Sequence, residues 1–220
     1  MTHDPSNEQV IILPQTNYLL SLMTIIRDAK TACPAFVNAF DQVCNQLLPA
    51  ALNLLPFENV EVETPTGTTF HGSRQTVPVC GVSILRAGAS FENAMRNCSL
   101  GPLCYGKILI QRDEKTCLPQ EIYTKLPRRI SQQHVLILEP VLATGGSASK
   151  AVEILKENGV DEKNIIFVNL LASRKGLDKV VKKFPYMKIV TAAVDANLTV
   201  TNHIDPGLGD FGDRFYGTTG

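Results

Sequence analysis

The sequence predicts an α/β fold with a parallel sheet of about five strands flanked by helices. Three observations carry this. Five short apolar runs of strand length recur after residue 77: Val79–Leu85, Lys107–Gln111, Val135–Glu139, Ile165–Leu171 and Lys188–Val194. Helical patterns fill three of the gaps, at Ser90–Asn97, Ser147–Asn158 and Leu177–Phe184, and this alternation is what a parallel sheet requires. The chain of 220 residues is 44% hydrophobic and 19% charged, a globular balance. No linker, repeat or low-complexity tract interrupts it, so it reads as one domain over 1–220.

The elements follow in order. Residues 1–9 are polar and read as loose. Tyr18–Lys30 carries Leu19, Leu22, Met23 and Ile26 at helical spacing. A second helix opens near Pro34, a suitable first-turn proline, and carries Phe36, Val37, Phe40, Val43, Cys44, Leu47 and Leu48. Pro49 is expected to kink or end it, because proline lacks the backbone N–H. Val60–Thr64 and Thr68–His71 flank Pro65-Thr66-Gly67 and predict a β-hairpin. After the strands and helices named above, Gly159 marks a helix stop.

Lys plus Arg and Asp plus Glu are both 21, so the formal net charge is zero. That argues against a broad electrostatic grip on nucleic acid or an anionic membrane. No apolar run approaches the roughly 20 residues of a membrane helix. The polar start lacks a secretory leader's features, and a cytoplasmic location is expected. The six cysteines, Cys33, Cys44, Cys80, Cys98, Cys104 and Cys117, form no C-x-x-C pair and read as reduced thiols. His3, His71, His134 and His203 are scattered. No metal-ligand motif is present, and no protein metal site is expected.

Ligand sites in such sheets lie at the carboxyl ends of the strands. After Val135–Glu139 the chain runs Pro140-Val141-Leu142-Ala143-Thr144-Gly145-Gly146-Ser147 into a helix. Two glycines let backbone N–H groups converge, Thr144 and Ser147 add hydroxyls, and the helix dipole points its positive end there. This is a phosphate cradle or, failing that, a plain strand-to-helix turn. Glu139, held extended by Pro140, is placed to accept hydrogen bonds from sugar hydroxyls. Arg86 and Arg112 end two other strands, where each is placed to grip a diphosphate or to form a surface ion pair. The segment Ile204–Arg214, with Gly207, Gly209 and Gly212, is either a loop offering main-chain groups to a small polar ring or a packed C-terminal turn.

From Leu13 to Gly217 the sequence resembles uracil phosphoribosyltransferases, members of the type I phosphoribosyltransferase fold. The resemblance rests on GVSILRAG at 81–88, GKILIQRDE at 106–114, LATGGSA at 142–148 and PGLGDFGDR at 206–214. Leu13-Pro14-Gln15-Thr16-Asn17 is similar to the eukaryotic-style branch. The resemblance implies a small C-terminal hood over the sheet. It also implies a reaction: uracil and 5-phosphoribosyl 1-diphosphate give UMP and diphosphate, with magnesium carried on the diphosphate. Val141 to Ser147 then match the ribose 5-phosphate site, with Pro140 leading into it. Glu139 stands where the family usually has an aspartate on the ribose hydroxyls. Arg86 and Arg112 match the arginines at the diphosphate end. Ile204, Gly209 and Phe211 match positions whose backbone reads uracil, and Asp210 matches a ligand-contacting carboxylate. A main chain offering N–H, C=O and N–H complements uracil and leaves cytosine mispaired, a difference of roughly 10⁴-fold. Ala143 stands where 6-oxopurine-specific relatives carry an aspartate, and the segment 112–126 is expected to serve as an arm or lid.

The resemblance further implies a homodimer or homotetramer, with GTP as an activator in some relatives. Glu139, His203 (for tyrosine) and Asp205 (for an aliphatic residue) depart from the family pattern. They open two alternatives: a catalytically silent nucleotide-sensing relative, and a phosphoribosyltransferase for another base.

Overall fold

Burial on both faces is what turns continuous apolar runs into central strands here, and Ile165–Ser173 is buried at every residue. The computed structural model describes residues 9–112 and 119–218. In chain order these hold β1 (Val10–Ile12), α1 (Asn17–Arg27), α2 (Cys33–Leu52), β2 (Phe57–Glu63), β3 (Thr69–Gln75) and β4 (Val79–Leu85). There follow α3 (Glu92–Cys98), β5 (Leu103–Arg112), β6 (Pro119–Lys125), β7 (His134–Leu138), β8 (Val141–Leu142) and α4 (Gly146–Glu157). The chain ends with β9 (Ile165–Ser173), α5 (Arg174–Lys183), β10 (Lys188–Asp195), β11 (Asn197–Leu198), β12 (Ile204–Asp205) and α6 (Phe211–Tyr216).

The five predicted strands lie side by side, in the order β10-β9-β7-β4-β5, all parallel. Two strands not foreseen extend the sheet. β1 adds in parallel to β10, and β6 adds antiparallel to β5. β1 is only three residues long, too short to show a period. Its neighbour Gln9, expected to be loose, is tied down instead. The Gln9 carbonyl accepts from Ile189 N–H at 2.8 Å, and its side-chain amide donates to the Phe184 carbonyl at 2.7 Å.

One face of the sheet packs on α1, α2 and α3, around Phe36, Phe40, Leu47, Leu48 and Phe91. The other packs on α4 and α5, around Val152, Leu155, Leu177 and Val180. Pro49 does not end α2, which runs on to Leu52. Proline there loses only its own N–H bond, and Asn53 N–H still donates to the Pro49 carbonyl at 2.9 Å. The helix expected at Ser90–Asn97 is preceded by a 3₁₀ turn at Ala87–Phe91. The predicted hairpin is present as β2 and β3, joined through Pro65-Thr66-Gly67, and it pairs with no other strand. The short β11–β12 ladder, a loop and α6 close the described chain.

Candidate functional site

Three strand ends of the parallel sheet and the loop between β12 and α6 supply the site. After β7 the chain passes Glu139 and Pro140, pairs briefly with β9 as β8, then turns into α4. The turn needs Gly145, which has φ +72° and whose Cβ would come within 2.8 Å of Val180 Cγ2. As N-cap residue it brings no side chain to the helix end. The first N–H groups of a helix have no partner inside it, so α4 begins with donors and a positive dipole end directed at the turn. Support comes from below. The Ser173 hydroxyl donates to the Ala143 carbonyl at 2.5 Å and accepts from Gly176 N–H at 2.9 Å. A cavity of about 120 Å³ results, lined by Glu139 and by Val141 through Ala148. All the predicted cradle residues except Pro140 line it. Pro140 instead accepts, through its carbonyl, from Leu170 and Leu171 N–H at 3.0 Å each.

Burial pushes the Glu139 carboxyl up to about 8, partly offset by a hydrogen bond from Val141 N–H. It is therefore the one group in the cradle poised to change charge near neutral pH.

Beyond β12 the Asp205–Pro206 peptide is cis, and Gly207 (φ +62°) folds back so far that a Cβ would lie 2.1 Å from the Ile204 carbonyl oxygen. The side chains of Ile204 and Phe211 point into the core. Phe211 sits between Phe36 (5.4 Å between centroids), Phe40 (4.9 Å) and Phe215 (5.5 Å). A second cavity, about 70 Å³, is lined by Val141, Ala143, Leu171, Asn202, His203, Ile204, Leu208 and Gly209. It shares Val141 and Ala143 with the cradle, so the two regions singled out in the sequence meet at one wall. His203 lines this cavity, with Nδ1 3.0 Å from the Thr201 hydroxyl. Asp205 is exposed and lines neither cavity.

Arg86 follows β4 across a cis Leu85–Arg86 peptide, and its guanidinium stands 3.3 Å from Asp213 Oδ1. The surface ion pair considered for Arg86 thus forms, yet the side chain stays 60% exposed and open to a ligand. Asp213 was not found from the sequence. A hydrogen bond from the Thr218 hydroxyl, then Arg86, hold its carboxyl below the usual range. Asp210 caps α6, accepting from Asp213 N–H at 2.9 Å. Arg112 ends β5, and its side chain lies outside what the structure describes, as do residues 113–118 with Cys117. Of the expected arm, the described part is β6, which pairs with β5. Ser173, Asp213, Asn202 and His203 complete the site; His203 stands out in the sequence as a departure from the family pattern and Asp213 lies inside the C-terminal motif, while Ser173 and Asn202 carry no sequence signal.

The family model of uracil phosphoribosyltransferase matches residues 13–218. The chain belongs to the uracil phosphoribosyltransferase family. It is 48% identical over 209 residues to the uracil phosphoribosyltransferase of Lachancea kluyveri, covering 95% of this chain and 96% of that one. Against that of Saccharomyces cerevisiae the identity is 47% with the same coverage, and against that of Dictyostelium discoideum it is 44%, covering 96% and 97%. Among solved structures, the AQ2163 protein of Aquifex aeolicus superposes with a TM-score of 0.82 at 27% identity, covering 96% of this chain and 99% of that one. The mixed α/β architecture expected of the family is therefore present across nearly the whole chain. Among the described residues, no helix is long and apolar enough to cross a membrane.

Proposed function

We propose that this chain, acting as one domain, transfers the 5-phosphoribosyl group from 5-phosphoribosyl 1-diphosphate to uracil, giving UMP and diphosphate. The observation that carries the reading is the shared wall of Val141 and Ala143 between the phosphate cradle and the cavity at the C-terminal loop. A nucleotide needs that adjacency: phosphate on one side, base on the other, the sugar between.

The roles follow from position. The N–H groups from Ala143 to Ser147 and the α4 dipole receive the 5-phosphate. Glu139, lining the same cavity, accepts from the ribose hydroxyls. Backbone groups of Ile204, Gly209, Asp210 and Phe211 read the base, which suits a loop whose Ile204 and Phe211 side chains are committed to the core. Arg86 and Arg112 receive the departing diphosphate. The C1′–diphosphate bond breaks, the N1–C1′ bond forms, and the N1 proton leaves to water. Asp210 Oδ1 is already occupied by its N-cap bond. Holding both reactants on one wall supplies orientation to an uncharged nucleophile.

Among the described residues no three His, Cys, Asp or Glu side chains converge on a metal. Magnesium would arrive on the diphosphate oxygens, and Asp210 is the carboxylate of the C-terminal loop that would help hold it. When bound, it neutralises leaving-group charge. The hairpin exposes Val62 (45%) and Phe70 (59%), which favours a homodimer or homotetramer that covers it.

The test is incubation with uracil, 5-phosphoribosyl 1-diphosphate and magnesium, with and without GTP, and chromatographic quantification of UMP. UMP formation is expected, and a rise with GTP would identify an activator. A folded protein that binds UMP but makes none would return the silent-relative reading.

A further inference from the structure

We propose that the Arg27–Asp195 ion pair is the positioning device for the base-facing loop, so that the last residue of α1 governs uracil recognition although α1 lines neither small cavity. This rests on the reading of residues 204–211 as the base-facing surface.

Arg27 ends α1 and Asp195 ends β10. The two meet in a parallel fork, Nη1 to Oδ2 at 2.7 Å and Nη2 to Oδ1 at 2.8 Å. The same two groups also grip the peptide groups of Gly207. Its N–H donates to Asp195 Oδ2 at 3.0 Å, and its carbonyl accepts from Arg27 Nη1 at 2.9 Å. One ion pair therefore holds both polar groups of the residue at which the loop reverses. A second arginine continues the clamp. Arg214 Nη1 donates to the Leu208 carbonyl at 2.7 Å and the Ile26 carbonyl at 2.5 Å, and Nη2 donates to the Asp28 carbonyl at 2.6 Å. The carbonyls of residues 207 and 208 are thus both tied to the arginines around the end of α1. Gly209, the next residue, is set against the base cavity.

The chemistry favours positioning over plain anchoring. An apolar contact would hold the loop down at equal or lower cost than a largely buried ion pair. A guanidinium fork fixes direction, because its donors lie in one plane at fixed angles. Backbone readout of a planar base depends on such direction, and a misplacement of about 1 Å can cost about 10²-fold.

The test compares Arg27→Met, Arg27→Lys and Asp195→Asn in steady-state assays of the full chain, with KM for uracil, KM for 5-phosphoribosyl 1-diphosphate and kcat determined separately. Arg27→Met is expected to raise the uracil KM about tenfold or more, with the other KM changed less than about twofold. Arg27→Lys keeps the charge without the fork and should fall between. Lys156→Met, which breaks the pair between Lys156 of α4 and Glu162 beyond the helix end, serves as the control for simple destabilisation. It should lower Tm and leave the uracil KM unchanged. If Arg27→Met does not fold, Arg27→Lys and Asp195→Asn carry the same comparison. Equal shifts in both KM values, or a loss of Tm alone, would overturn the proposal. Gly209→Ala separates the two readings. If it leaves the uracil KM unmoved, the loop does not read the base. If it raises that KM while the Arg27 and Asp195 variants do not, the clamp alone is wrong.

Discussion

Glu139 faces two demands at once. Its carboxyl must accept from sugar hydroxyls, which favours the ionised form, while burial pushes it up to about 8. The folded chain holds this proton more tightly than the unfolded chain does. Folding stability should therefore fall as pH rises from about 4.5 through about 8, and be flat outside that window as far as this group is concerned. Glu139→Gln should remove that slope in urea titrations across pH, and an unchanged slope would assign it elsewhere. Binding runs the other way. The KM for 5-phosphoribosyl 1-diphosphate should improve as pH rises toward 8 in the native chain and stay level in Glu139→Gln. In kinetics at fixed pH, Glu139→Asp should keep activity within about tenfold, roughly 1.4 kcal/mol of barrier, whereas Glu139→Ala should lose more. Comparable rates for the Ala variant and the native chain would remove Glu139 from the ribose contact.

Among the elements, α2 connects packing most directly to chemistry. Phe40 is fully buried and meets Phe91, Phe211 and Phe215 at 5.0, 4.9 and 5.5 Å between centroids. Phe40→Ala should cost about 3–5 kcal/mol in denaturant unfolding. Because Phe211 loses a neighbour, uracil affinity should drop as well. A stability loss with uracil binding intact would show that Phe211 holds its place without Phe40. These elements also show what was readable in the sequence. α2 announces itself through a long helical apolar pattern, the five central strands through short continuous apolar runs, and the hairpin through its Pro65-Thr66-Gly67 turn between alternating segments. β1, β8, β11 and β12 have two or three residues each, and nothing local distinguishes them; they exist because a neighbouring strand offers partners. The cradle was legible because glycines and hydroxyls cluster along the chain at 144–147. Ser173 and Arg27 were not, because they reach it and the C-terminal loop from distant segments. Asp213 lies inside the C-terminal motif, yet its role is not legible there, because its pairing with Arg86 exists only in the folded chain.

For the molecule as a whole, the ligand should bind the folded state alone, since its two cavities are assembled from β8, the turn into α4, β9 and the C-terminal loop together. UMP at about a hundred times its Kd should add about 2.7 kcal/mol, and so raise Tm by roughly 5–10 °C for a chain of this size. A nucleobase-free sugar phosphate should give less, and no shift with either would argue against a joined site. The short β1 has a consequence of another kind. It occupies the outer rim of β10, where Ile189 N–H meets the Gln9 carbonyl, Leu13 N–H meets Thr191, and the Gln15 side-chain amide takes over at Ala192. Without those few residues β10 would present a bare row of backbone donors and acceptors to any passing chain. The N-terminal segment thus works as a seal against fibrous self-association. A version trimmed to begin at Asn17 should keep its fold briefly and then cloud in light scattering, long before its catalytic groups are disturbed.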